Sequence, residues 1–178
     1  MKKYFLLVCI IILANSCKNN FHAQQKKDVY QSIVRAFIED RSSQVKIDSK
    51  ENILILGANN SENDKDSYNI VMSFVNPKLL SGFEYSKVYI IDGYRLIIDE
   101  SKESKNKSQI FKNSFKETKF ENLNQAENII DYDSKYWLIT FNSKNEIIRI
   151  SPFQKSKYIK DLLLKKGIKF SQDFEDNE

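Results

Sequence analysis

The apolar and polar positions divide the chain into an oily start, a polar stretch, a helix, a series of strands and a closing helix. Tyr4 to Ala14 is a nearly unbroken apolar run, and Lys18 to Lys27 is polar and aperiodic. Asp28 stands where a helix N-cap belongs, with Gln31 three residues on in capping-box spacing. Tyr30, Ile33, Val34, Phe37 and Arg41 recur at the interval of one helical face, which predicts a core-packed helix over Val29 to Arg41. Asn52 to Leu56, ending at Gly57, and Tyr68 to Val75, ending before Asn76-Pro77, read as strands separated by a polar loop, Ala58 to Ser67.

Lys87 to Asp99 predicts a β-hairpin, because Asp92-Gly93 supplies the positive φ values of a tight type I′ turn. A two-residue loop sets Ile91 opposite Tyr94, Tyr89 opposite Leu96 and Lys87 opposite Ile98 on one face. Ile90 then meets Arg95, and Val88 meets Ile97, on the other. Lys135 to Ser151 reads as a second hairpin with Ser143-Lys144 at its tip and Asn142 paired with Asn145. That register puts Trp137, Ile139, Phe141, Ile148 and Ile150 on a core face, and Leu138, Thr140, Ile147 and Arg149 on the second face.

The closing helix is expected from Ser151 as N-cap and Pro152 as first helical residue to Gly167 as C-cap, with Tyr158, Ile159, Leu162 and Leu163 as its apolar stripe. Lys155, Lys157, Lys160, Lys165 and Lys166 make it basic, a charge suited to an anionic membrane surface or simply to water. Residues 100–134 form an insertion that either holds helices, one of them from Asn122 through Ile130, or is a flap bearing Phe111 and Phe115. The resulting expectation is an α+β domain: an antiparallel sheet of about six strands in hairpins, flanked by an N-terminal and a C-terminal helix. Its element order loosely resembles cystatin-like and nuclear-transport-factor-like architectures. The domain spans 28–170 and an acidic, frayed tail occupies 171–178.

Two lysines, the short apolar run and the small residues that follow describe a secretory signal peptide, since a membrane-spanning helix needs about 20 apolar residues. Leu13-Ala14-Asn15-Ser16-Cys17 also resembles the lipobox of bacterial lipoproteins. The resemblance implies that 1–16 is removed as signal peptide, that the Cys17 thiol carries lipid, and that 17–27 is a lipidated tether. It further implies a cell-envelope location, with Lys18 in place of a retaining aspartate favouring the outer membrane. An ordinary signal peptide cut after Ala23 would instead leave a secreted protein.

Cys9 leaves with the signal and Cys17 is spent on lipid, so the body from Lys18 has no thiol, and His22 is the sole histidine. Disulfides, Cys-based nucleophiles, Cys-ligated metals and His-dependent catalysis are thereby excluded from the folded region. The formal net charge is +4 before Lys2 and Lys3 are lost, which is no nucleic-acid-binding balance. The carboxylates of Ala58 to Ser67 lack the glycine and glutamate of a calcium loop, so they read as a solvated turn, and no cofactor or metal is expected.

The expected role is non-catalytic binding or scaffolding, with partners limited to the membrane through the lipid anchor and an envelope protein. An inhibitor or immunity-type lipoprotein is a special form of it. Arg95, Arg149 and Thr140 are the candidate binding residues, because two arginines at matching places in two hairpins could converge on an anion or acidic partner. One alternative is a small-ligand carrier with a pocket lined by Tyr89, Tyr94 and Trp137. An envelope hydrolase, using a serine with a lysine base or a carboxylate pair such as Asp131 and Asp133, is the other.

Overall fold

A computed structural model describes residues 29–44, 52–61, 66–75, 80, 84–101, 109, 111–118 and 136–174. Helix α1 covers 29–44 and buries Tyr30, Ile33, Val34, Ala36, Phe37 and Ile38, the face expected from the spacing. Its last buried position is Asp40 and not Arg41, which is half-buried. Asp28 lies outside the described residues.

Among the described residues seven strands follow: β1 Ile53–Asn60, β2 Tyr68–Val75, β3 Val88–Ile91, β4 Tyr94–Ile98, β5 Lys116–Glu117, β6 Trp137–Phe141 and β7 Ile147–Ser151. A short 3-10 turn, Phe153–Lys155, then leads into helix α2, Ser156–Lys165. The strands form one sheet in the order β5-β3-β4-β1-β2-β6-β7. Among the described residues the chain is thus α+β, two helices with one sheet, as the pattern implies. The sheet is mixed, however, because β1 pairs β4 in parallel while the other strand pairs are antiparallel. The β3–β4 hairpin docks on the free edge of β1 and leaves that of β2 to β6, so the chain after β2 must return across the sheet. Leu80 and Tyr85, from that return, cover Ile53, Ile55, Val75, Val88 and Ile97 in a second small core.

β1 runs through Gly57 to Asn60, so Ala58 to Asn60 belong to the strand and not to the loop. Alternation continues there: Ala58 is buried, and each residue pairs with β2 up to Asn60 opposite Tyr68. The β3–β4 hairpin has the expected register, with Asp92 at φ 48 and Gly93 at φ 85. In β6–β7 the loop is one residue longer than expected. Asn142 takes the amide N–H groups of Lys144 and Glu146 on its side-chain oxygen, each at 3.0 Å, and Asn145 closes the turn at φ 60. A bulge follows between Thr140 and Phe141, so Phe141 faces Ile147 and Thr140 faces Arg149. Ile147 therefore joins Ile150 on the core face, and Ile148 is only half-buried.

Both helices lie on the core face, where Trp137, Phe37, Phe111 and Phe141 are the bulkiest fully buried side chains. Each such burial stabilises by about 1.5–3 kcal/mol. Phe111 meets the Tyr30 ring edge-on at 5.0 Å and Phe115 meets Tyr89, so both side chains pack into the core. β5 joins the edge of β3, and Lys112 and Ser86 share Glu100, which holds 111–118 to the body. The Asn122–Ile130 helix falls outside the described residues.

Helix α2 starts at Ser156, because Ser151 ends β7 and the 3-10 turn Phe153–Lys155 comes between them. Its buried residues are Ser156, Ile159, Leu162 and Leu163, while Tyr158 is exposed. Gly167 at φ 75 ends it as expected: its amide reaches Leu164, and the Ile168 amide reaches Leu163, a Schellman motif sealed by buried Ile168. The chain is not frayed directly afterwards. Residues 169–171 run along β7, with Phe170 bridged to Ile147 and stacked edge-on against Phe174.

Candidate recognition face of the sheet

The strand registers bring one polar residue from each of four adjacent strands into a single row on the face away from the helices. Asn59 on β1 stands opposite Asn69 on β2, Asn69 opposite Thr140 on β6, and Thr140 opposite Arg149 on β7. The Thr140 hydroxyl donates to Asn69 Oδ1 at 2.9 Å, which fixes the middle of the row. Thr140 is buried and the other three are half-buried. Asn59 Oδ1, itself out of solvent, accepts no hydrogen bond from any described residue. The row thus presents amides, a hydroxyl and a guanidinium, groups that can donate and accept hydrogen bonds and attract an anion.

Thr140 and Arg149 lie opposite each other through the bulged register; Arg95 does not join them. Arg95 pairs with Ile53, at the far end of β1 from Asn59. Four strand spacings of about 4.8 Å and six residues at about 3.3 Å put Arg95 roughly 28 Å from Arg149 in the plane of the sheet. The two hairpins that looked equivalent are separated by β1 and β2, so one small anion cannot touch both arginines.

Two polar clusters inside the molecule escape a reading of the sequence. Asp40 accepts the Trp137 indole N–H at 3.1 Å and the Gln44 amide, and Lys155 Nζ lies 3.7 Å away. It joins α1, β6 and the entry to α2. Tyr30 and Tyr68 share a buried hydrogen bond of 3.0 Å, and Tyr68 donates onward to Asn145 Oδ1 at 3.0 Å. Burial raises both tyrosine pKa values, and beside Tyr68 the Tyr30 oxygen adds to the effect. The available signal for Asp40 was its place three residues after Phe37, on the apolar face. For Asn59 and Asn69 it was their shared parity across a β1–β2 hairpin.

Tyr89 and Trp137 are buried and Tyr94 is half-buried, with protein side chains between them. Phe37 packs on Phe74 at 5.5 Å and on Trp137 at 5.4 Å, and Phe74 packs on Tyr94 at 5.4 Å. Trp137 is therefore a core anchor. Cys17, His22, Asp131 and Asp133 lie outside the described residues. Among those described, no helix is long and apolar enough to cross a membrane, and no group of three His, Cys, Asp or Glu is placed to hold a metal. Comparison of the chain with family models, curated proteins and solved structures gave no match.

Proposed function

We propose that the chain is a lipid-anchored lipoprotein of the cell envelope, held at the outer membrane through Cys17, whose body binds a polar or acidic protein partner without catalysing a reaction. The observation that carries the anchor is the sequence Leu13-Ala14-Asn15-Ser16-Cys17 directly after an apolar run too short to span a bilayer. The row of Asn59, Asn69, Thr140 and Arg149 supports the binding role, since it gathers hydrogen-bonding groups from four adjacent strands on one face of the sheet. Arg95 is left out of that surface.

Mass spectrometry of the mature N-terminus tests the anchor. The native protein should begin at Cys17 and carry acyl mass there, and Cys17→Ala should stay as an unprocessed precursor. A native chain that starts after Ala23, or has an unmodified Cys17, overturns the proposal.

A further inference from the structure

Helix α2 turns Ile159, Leu162 and Leu163 into the core, and its opposite side carries Lys157, Tyr158, Asp161, Leu164 and Lys165, all exposed. Tyr158 and Leu164 each keep 49% of their surface in water, unlike the other apolar residues of the helix. Lys169 is exposed just beyond the C-cap. Lysines around a tyrosine and a leucine are the composition of a helix that lies in a bilayer interface, where apolar side chains enter the acyl boundary and ammonium groups stay at phosphate level. Asp161 opposes this, but three lysines outnumber it.

We infer that this face of α2 lies flat against an anionic phospholipid bilayer, the same membrane that holds Cys17, so that the inference rests on the lipid-anchor reading. Charge complementarity is one reason to assign a bilayer to the face. Tether length is another: residues 18–28 reach at most about 40 Å even fully extended, which confines the body to the membrane's neighbourhood. At that effective concentration a contact too weak to recruit a free protein is enough to orient a tethered one. The orientation has a consequence for binding. Because α2 covers the core face of the sheet and the polar row lies on the opposite face, docking by α2 turns Asn59, Asn69, Thr140 and Arg149 away from the lipid, toward an arriving partner.

The acylated protein itself provides the test, because acylation consumes the Cys17 sulfur and an introduced cysteine is then the sole free thiol of the mature chain. An environment-sensitive dye is placed at Leu164→Cys or, on the outer sheet face, at Val71→Cys. Each protein is reconstituted into vesicles of phosphatidylcholine with or without phosphatidylglycerol. The dye at 164 should shift to the blue only with phosphatidylglycerol, and the dye at 71 should not respond. Exchanging Lys157, Lys165 and Lys169 for glutamine should lower the docked population by roughly fivefold per lysine and remove the shift. Equal responses at both positions, a shift that survives the triple exchange, or a silent dye at 164 in an anchored protein would each overturn the inference. A protein that stays in the supernatant and carries no acyl mass sinks the anchor reading first, and this one with it.

Discussion

Asp40 shows how one buried side chain can fix three elements. Its carboxylate takes hydrogen bonds from Trp137 and Gln44, while Lys155, whose side chain is 38% exposed, adds a water-screened attraction. Removing the acceptor orphans a buried indole N–H, so Asp40→Leu should cost about 1–3 kcal/mol, and Asp40→Asn, which keeps an oxygen, clearly less. Urea denaturation of both variants and of Trp137→Phe measures this. The Asp40→Leu/Trp137→Phe double variant should lose less than the two singles together, and strict additivity would show that the contact carries no energy. The spacing extends the helix face to Arg41, yet Asp40 is the residue that turns inward, because the indole nitrogen of a residue 97 positions away binds its carboxylate. The tyrosine pair adds a pH dependence. Tyr30 and Tyr68 hold their protons above the ordinary 10.0 when folded, so the unfolded chain ionises first as the pH climbs. Their contribution is therefore complete below about pH 10 and declines above it. Tyr68→Phe should flatten that alkaline decline in the urea midpoint, and an unchanged slope would remove the pair from the account.

At the scale of elements, success in reading the chain followed how local the determinants were. The β3–β4 register is set by Asp92 and Gly93 alone, and it is legible because no other two-residue loop brings the flanking apolar runs into phase. The β6–β7 register depends on Asn142 capturing two backbone amides and on a bulge, neither of which alternation reveals. A start for α2 at Pro152 was reasonable by composition, yet the last residues of β7 use Ser151 for pairing with Leu138. Turn conformations give a clean test. A Cβ at Gly93 or at Gly167 would meet nothing within 4 Å, so any loss in the alanine variants comes from backbone conformation alone. Each should lose about 1–2 kcal/mol in thermal or urea unfolding. Asn145 differs, because its side chain also accepts the Tyr68 hydroxyl: Asn145→Gly keeps the turn and loses that bond, and Asn145→Ala loses both. Alanine should thus be the more harmful exchange, and equal losses from the two variants would show that the hydrogen bond, and not φ, dominates.

At the scale of the whole molecule, strand order decides which residues can act together, and order is the least local property of a sheet. Periodicity assigned Thr140 and Arg149 to one face, but the bulge is what sets them opposite each other, and periodicity carried no information that β1 and β2 lie between Arg95 and Arg149. The reason β4 joins β1 is energetic, since that pairing brings Ile97 beside Ile55 and lets Leu80 and Tyr85 close a second apolar cluster over both. The same cluster confines the polar row to the β1–β2–β6–β7 end of the face. Capture of envelope proteins can distinguish this geometry from a two-arginine site. Arg149→Ala removes the charge of the row and Asn69→Ala removes the acceptor that positions Thr140, so each should deplete the captured partner severalfold, as expected for a charge-assisted and a neutral hydrogen bond at an interface. Arg95→Ala, roughly 28 Å away by strand spacing and rise, should leave capture unchanged. Equal losses from Arg95→Ala and Arg149→Ala would require a partner that spans the whole sheet and would transfer the recognition surface from this row to the full outer face.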